Sequence, residues 1–336
     1  MFGLSAPAPV MPRDFSACSG CSLCFLVCPM WRASRDPRFS PEGIAKALQC
    51  GATAVDLAAP LEACSLCGAC DPVCPERIDL SAMIMDLRLH AADSLPSRAP
   101  RPAVLDDLEA RLQQGAGKAV TPIQGASVLF LPGAELRADA ALLARIESLL
   151  GLVAIDDDGT DIVLALEAGV PIPQRRMETL LAALCGHAIV GGEGLLVRQL
   201  RRWLPGSQRM GLGTALSLRA AVRGKLETSD LYVIEPRAFH ADYERMVGHY
   251  DRLQRETGCS LSLDLQRIAV PARSSGVAQK LGLAAEGDAA QAKWLLQGRK
   301  PARIVVESLA DRAALQAVSN VPVLHVAELA QGSGNE

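Results

Sequence analysis

The sequence predicts an α+β protein in two parts, an α-helical unit carrying most of the cysteines and then an α/β domain. Three observations predict this. Nine of the eleven cysteines fall between Cys18 and Cys74. Beyond residue 125, short apolar runs alternate with amphipathic segments, the pattern of a parallel sheet covered on both faces by helices. Between the two parts lie DSLPSRAPRP (Asp93 to Pro102) and QQGAGKAVTPIQG (Gln113 to Gly125), rich in the residues that punctuate structure. A short helix is expected from Ala103 to Leu112. The reading therefore assigns residues 1–95 to the first unit, 96–125 to a linker and 126–336 to the second.

The length of 336 residues is about twice that of a typical domain, and 49% apolar content supplies enough core for two folded units. With 34 basic against 37 acidic residues there is no electrostatic footprint for nucleic acid. The first twenty residues hold three prolines and no basic or continuous apolar region, so no secretory signal is expected. The most apolar stretch, Ala138 to Ile155, is broken by Arg145 and Glu147, so no transmembrane segment is expected either. These features point to a cytoplasmic protein that meets a membrane only through a partner. In a reducing cytosol, abundant cysteine reads as metal ligation before disulfides.

In chain order, Ser40 is a helix N-cap with Pro41 at the first helical position, and Gly51 is placed to end that helix. Asp79 caps a helix whose Leu80, Met83, Ile84 and Leu87 recur at i, i+3, i+4 and i+7. Strands are expected at Val128–Leu131, Ile162–Leu166, Ala188–Val190, Leu231–Ile234, Ile304–Val306 and Val321–Val326. Helices are expected at Asp139–Leu150, Gln174–Leu184, Gly194–Trp203 and Ala238–Thr257. One sheet and two similar halves both fit this alternation.

Cys18, Cys21, Cys24 and Cys28 form C-x2-C-x2-C-x3-C followed by Pro29, and Cys64, Cys67, Cys70 and Cys74 repeat the spacing before Pro75. Cysteines three apart let one tight loop reach three corners of an iron–sulfur cubane. In two-cluster ferredoxins with this run the fourth cysteine serves the other cluster. Two 4Fe-4S clusters are therefore expected, one on Cys18, Cys21, Cys24 and Cys74, the other on Cys64, Cys67, Cys70 and Cys28. A pair of zinc sites would use two C-x2-C pairs and leave the middle cysteines and both prolines unexplained.

The run CSGCSLCFLVCP, a segment containing RFSPEG, and CSLCGACDPVCPERIDLSAMIMDLR together resemble the α-helical dicluster ferredoxin domain. That domain occurs in the C subunits of heterodisulfide reductase and of anaerobic glycerol-3-phosphate dehydrogenase, in lactate and glycolate oxidation proteins, and in succinate dehydrogenase-type subunits. The resemblance covers about residues 10 to 95. It implies an electron-transfer subunit in a hetero-oligomeric oxidoreductase complex, with a flavoprotein dehydrogenase or electron-transfer flavoprotein as partner. Several relatives continue into a domain of two α/β halves bearing Cys-Cys-Gly motifs. VLFLPGAEL at Val128 to Leu136 is similar to the opening of such a half, with Ala134 where a cysteine is usual, and DDDGTDIVLALEAG stands where the motif belongs. The resemblance implies a scaffold that has lost its own metal site.

Elsewhere the chemistry is sparse. Cys50, Cys185 and Cys259 read as buried structural thiols. Gly191-Gly192-Glu193-Gly194 follows a strand and precedes a helix but lacks the full dinucleotide spacing, so it reads as a tight turn. Between His240 and Asp251, Tyr243, Met246, Tyr250 and Leu253 form an ordinary core stripe. His187 and His325 read as packed side chains. No catalytic residue is singled out. The leading reading is a relay of single electrons through two clusters. A catalytic reductase with a flavin or substrate site in the α/β domain, and an assembly scaffold with structural clusters, are the alternatives. With two anionic clusters on an acidic segment, a partner is expected to approach with a basic face.

Overall fold

Each cysteine loop leads into a short helix, α1 (Leu23–Val27) or α5 (Cys70–Val73), and the two helices lie against each other. These coordinates are a computed structural model describing residues 14–94, 102–117, 125–264, 266–273 and 288–330. The expected linker stretches 95–101 and 118–124, and the first thirteen residues of the leader reading, lie outside the described residues. Helices α2 (Pro29–Ser34), α3 (Pro41–Gln49), α4 (Ala58–Ala63) and α6 (Leu80–Ser94) complete the first unit around Ile44, Leu61 and Ile84, all at or near zero exposure. The predicted caps form: Ser40 Oγ accepts from the Gly43 N–H at 2.9 Å, and Asp79 Oδ1 from the Ala82 N–H at 3.0 Å. Gly51 ends α3 at φ +91°.

Two parallel sheets follow, which resolves the choice left open by the sequence. The first is ordered β1-β2-β3, from β1 (Val128–Leu131), β2 (Ala188–Gly191) and β3 (Arg209–Gly211). The second is ordered β5-β4-β6-β7, from β4 (Asp230–Val233), β5 (Ser260–Leu261), β6 (Arg303–Val306) and β7 (Val323–His325). Leu129 stands opposite Ile189, and Leu231 opposite Ile304. The connections are helical: α7 (Ala103–Gly117), α8 (Ala134–Arg137), α9 (Ala140–Leu150), α10 (Thr160–Ala168), α11 (Gln174–Leu184), α12 (Gly194–Trp203), α13 (Leu212–Ser217), α14 (Ala220–Arg223), α15 (Pro236–Ala241), α16 (Tyr243–Thr257), α17 (Asp288–Leu296) and α18 (Leu309–Gln316).

Side-chain alternation along the strands divides the interior into layers. Leu129 and Leu131 of β1 and Ile189 of β2 join the core of the cysteine-bearing unit, together with Leu61, Ile84 and Cys28. Phe130 and Val190 point the other way, into a core shared with Tyr232 and Val305 of the second sheet. Leu231, Val233, Ile304 and Val306 face a third core beneath α17 and α18. The first unit thus shares its apolar interior with the first sheet.

Several expectations are corrected. Ile162–Leu166 is not a strand but lies inside α10, bracketed by Gly159 at φ +71° and Gly169 at φ +69°. Leu, Ala and Glu favour helix there, and a short apolar run does not distinguish the two states by itself. The predicted 238–257 helix is two helices: Pro236 starts α15, and Asp242 at φ −140° breaks the chain while pairing with Arg201 at 3.0 Å and Arg245 at 2.5 Å. The helix predicted to end at Leu112 continues to Gly117 and buries Leu108 and Leu112 against its neighbours. Cys50 and Cys185 are exposed, because each sits just past a helix end; Cys259 is buried as expected. Strands β3 and β5, of three and two residues, escaped prediction because neither is a contiguous apolar run. Among the described residues no helix is long and apolar enough to cross a membrane.

Candidate metal centre

The two cysteine loops are conformational copies. Two and four residues after the first cysteine of each loop the backbone turns left-handed: Gly20 (φ +78°) and Ser22 (φ +61°) after Cys18, Leu66 (φ +52°) and Gly68 (φ +74°) after Cys64. Backbone that alternates in this way turns successive N–H groups into a concavity suited to an anion or an iron–sulfur cluster. One such group already donates to sulfur, the Leu66 N–H to Cys64 Sγ at 3.4 Å. The fourth cysteines are also alike, Cys28 at φ −80°, ψ 115° and Cys74 at φ −76°, ψ 112°. The proline after each disfavours a helical turn there, so the chain swings the fourth thiol away from its own loop.

Where those thiols arrive is the informative point. Cys74 lines one cavity with Cys18, Cys21 and Cys24, closed by Ile78, Leu80 and Glu42. Cys28 lies within electrostatic range of Cys64, Cys67 and Cys70. Among the described residues, no three Cys, His, Asp or Glu side chains are gathered as tightly as a single ion requires. A cubane takes one thiolate at each of its four iron corners. Residues 14–78 match the 4Fe-4S dicluster domain. No curated protein and no solved structure matches the chain.

The two cysteine groups of this iron–sulfur domain differ in environment. In the first, Cys21 is exposed and only Cys24 is buried; in the second, Cys28, Cys67 and Cys70 are buried. Burial pushes the Cys24 thiol up to about 12 and the Cys67 thiol up to about 11, and raises Cys28, Cys64 and Cys70 for the same reason. These sulfurs are protonated at neutral pH until a metal takes the proton's place, so loading releases protons and is favoured by higher pH.

The first loop is held from within its own domain, chiefly by α3. Lys46 Nζ donates to the Cys18 carbonyl at 2.7 Å, Gln49 Nε2 to the same oxygen at 3.1 Å, and the Ser22 N–H donates to Glu42 at 2.6 Å. The second loop is held largely from outside the domain. Arg88 of α6 donates to the Cys64 carbonyl, Arg237 of α15 to the Ser65 carbonyl at 2.6 Å, and His240 Nδ1 to the Cys67 carbonyl at 2.8 Å. Burial lowers the His240 pKa to about 4, so the ring is neutral. Arg198 of α12 pairs with Asp71 at 2.8 Å and Asp79 at 3.0 Å. Arg198 and Arg237 did not stand out in the sequence, because no spacing rule links α12 and α15 to a loop more than a hundred residues earlier. His240 was visible only as part of a charged segment.

A cleft opens where the carboxyl ends of both sheets meet the second loop. Glu193, Glu235, Glu307 and His325 line it from the strand ends, and Ser65 and Cys67 from the iron–sulfur domain. Glu307 accepts from Tyr232 at 2.8 Å, Tyr250 at 2.6 Å and the Glu235 N–H at 2.8 Å; burial still raises its pKa to about 7. The glycines of the 191–194 turn serve packing. A Cβ on Gly192 would stand 2.1 Å from the Pro132 carbonyl oxygen, and one on Gly194 2.0 Å from a Glu235 oxygen. With Glu193 and Glu235 beside it, this helix start faces carboxylates.

Proposed function

We propose that the chain is an electron-transfer subunit in which Cys18, Cys21, Cys24 and Cys74 hold one 4Fe-4S cluster and Cys28, Cys64, Cys67 and Cys70 hold a second. A bound 4Fe-4S cluster supplies reversible one-electron exchange. The chain's own residues do the rest. The left-handed loop positions direct backbone N–H groups inward, the crossed fourth cysteines tie the two groups together, and α12 and α15 shield the inner one from water. Exposed Cys21 marks the side open to a partner, and the inner group faces the α/β domain. The partner in this reading is a flavoprotein dehydrogenase or electron-transfer flavoprotein within a stable, cytoplasmic, heterodisulfide-reductase-like or flavin dehydrogenase complex.

The observation that carries the reading is the grouping of Cys74 with Cys18, Cys21 and Cys24. Anaerobically prepared protein is expected to hold about eight iron and eight acid-labile sulfide, two cubanes' worth. Cys74→Ser should then damage the cluster on Cys18, Cys21 and Cys24 more than its neighbour. Zinc without sulfide, or loss confined to the Cys64 cluster, would overturn the assignment. The cleft gives a catalytic reading one observation of its own, since open α/β sheets bind ligands beyond their carboxyl strand ends. A flavin absorbance band in the same preparation would favour it.

A further inference from the structure

The second cysteine loop takes its electrostatic surroundings from the α/β domain. Arg237 and Arg198 reach it from α15 and α12, while Arg32 and Arg88 approach from its own side. Arg237 donates to the carbonyl of Ser65, between Cys64 and Cys67, at 2.6 Å while pairing with Glu167 at 2.5 Å. Arg198 neutralises Asp71, the carboxylate that otherwise presses on Cys70. Its Nη1 is so close to the loop that a Cβ on Gly68 would meet it at 3.1 Å. At the first group Glu42, of opposite sign, lines the cavity beside Cys24, and Lys46, which donates to the Cys18 carbonyl, also donates to Gln49 at 2.9 Å.

Reduction adds a negative charge, and burial alone makes that harder. Net charge nearby and solvent exposure are the terms that set such potentials. From these contacts we infer that Arg198 and Arg237 act as positioning residues of the α/β domain that hold up the reduction potential of the cluster on Cys28, Cys64, Cys67 and Cys70, offsetting its burial. The α/β domain is then an electrostatic lid on the inner cluster as well as an assembly surface. The inference rests on the two-cluster reading and adds to it the sign of the effect of Arg198, Arg237 and Asp79 on the inner site.

The test is a potentiometric titration of the full-length protein followed by EPR, with the two signals assigned through Cys74→Ser. Arg198→Gln should lower the reduced-to-oxidised ratio of the inner cluster at fixed potential by about three- to tenfold, tenfold being 59 mV for a one-electron couple. The outer cluster should not move. Arg198→Lys, which keeps the charge, should restore most of the shift. Asp79→Asn removes a negative charge from the same pair while keeping a good helix cap, and should shift the inner cluster in the opposite direction. If Arg198→Gln fails to keep its iron, Asp79→Asn still decides the sign. An unchanged inner potential, an equal shift of both clusters, or the same direction for Arg198→Gln and Asp79→Asn would overturn the inference with both clusters in place. A protein carrying one cluster would sink the two-cluster reading itself.

Discussion

Leu66 and Ser22 occupy left-handed backbone without being glycine, while Gly20 and Gly68 hold the matching positions in the opposite loops. A side chain there costs roughly 1–2 kcal/mol. Each loop carries one such strained residue and one relaxed one, so the conformation is imposed by the loop's task rather than by local preference. The four positions should not respond alike to substitution. Gly68→Ala adds the left-handed penalty and a contact with Arg198 Nη1 at 3.1 Å, and should cost about 1–2 kcal/mol. Ser22→Gly relieves the penalty but gives the unfolded chain more freedom, and should change stability by about 0–1 kcal/mol in the favourable direction. Anaerobic denaturation midpoints of the two variants check both signs. A neutral Gly68→Ala would mean that the loop is not held in this geometry.

At the scale of elements, the segment Asp157 to Asp161 shows what occupies the place where a Cys-Cys-Gly motif was expected. Asp157 and Asp161 both pair with Arg176 of α11, at 2.6 and 2.7 Å, and Asp158 pairs with Arg137 at 2.7 Å. The Arg176 side chain is only 3% exposed, and Gly115 of α7 leaves it room, since a Cβ there would stand 2.5 Å from its Cδ. Three helices therefore meet on one buried cation. Arg176→Met should cost about 3–5 kcal/mol, because it leaves two half-buried carboxylates without their partner. A thermal or denaturant midpoint within error of the parent would show the network to be dispensable. The cysteine chemistry, the caps of α3 and α6 and five of the seven strands, β1, β2, β4, β6 and β7, were legible because each rests on a local rule of spacing, capping or apolar run. Helix α10 was not, since Ile162 to Leu166 satisfies the strand and buried-helix patterns equally and packing against α6 and α7 chose between them. The cations of the inner site were illegible for a different reason: Arg88, Arg198 and Arg237 acquire their roles only when α6, α12 and α15 are brought to one loop.

For the whole molecule, the consequence of three stacked cores is that loss of iron should not be felt equally everywhere. The iron–sulfur domain and the first sheet share a single core through Ile44, Leu61, Leu129, Leu131 and Ile189. The second sheet touches the first through the middle core, and its outer face packs on α17 and α18 through Leu295, Ile304 and Leu315. The buried thiols are raised by desolvation and crowd one another, and Arg88, Arg198 and Arg237 lean on carbonyls and carboxylates of the loop that carries them. Binding free energy at such a site is in part folding free energy. Removing the metal should loosen the 64–74 loop first, then the core it shares with β1 and β2, whereas β4 and β6, set in the third core, should hold longest. Hydrogen exchange resolves such cooperative units. With iron chelated anaerobically, amides of residues 14–94 and of β1, β2 and α10 should lose protection by about tenfold or more, corresponding to about 1.4 kcal/mol of local stability, while those of β4 and β6 keep theirs. Equal loss in both sheets would mean that the chain folds as one unit. Loss confined to residues 14–78 would mean that the shared core does not transmit the effect, and would leave the α/β domain as a body that stands without the metal.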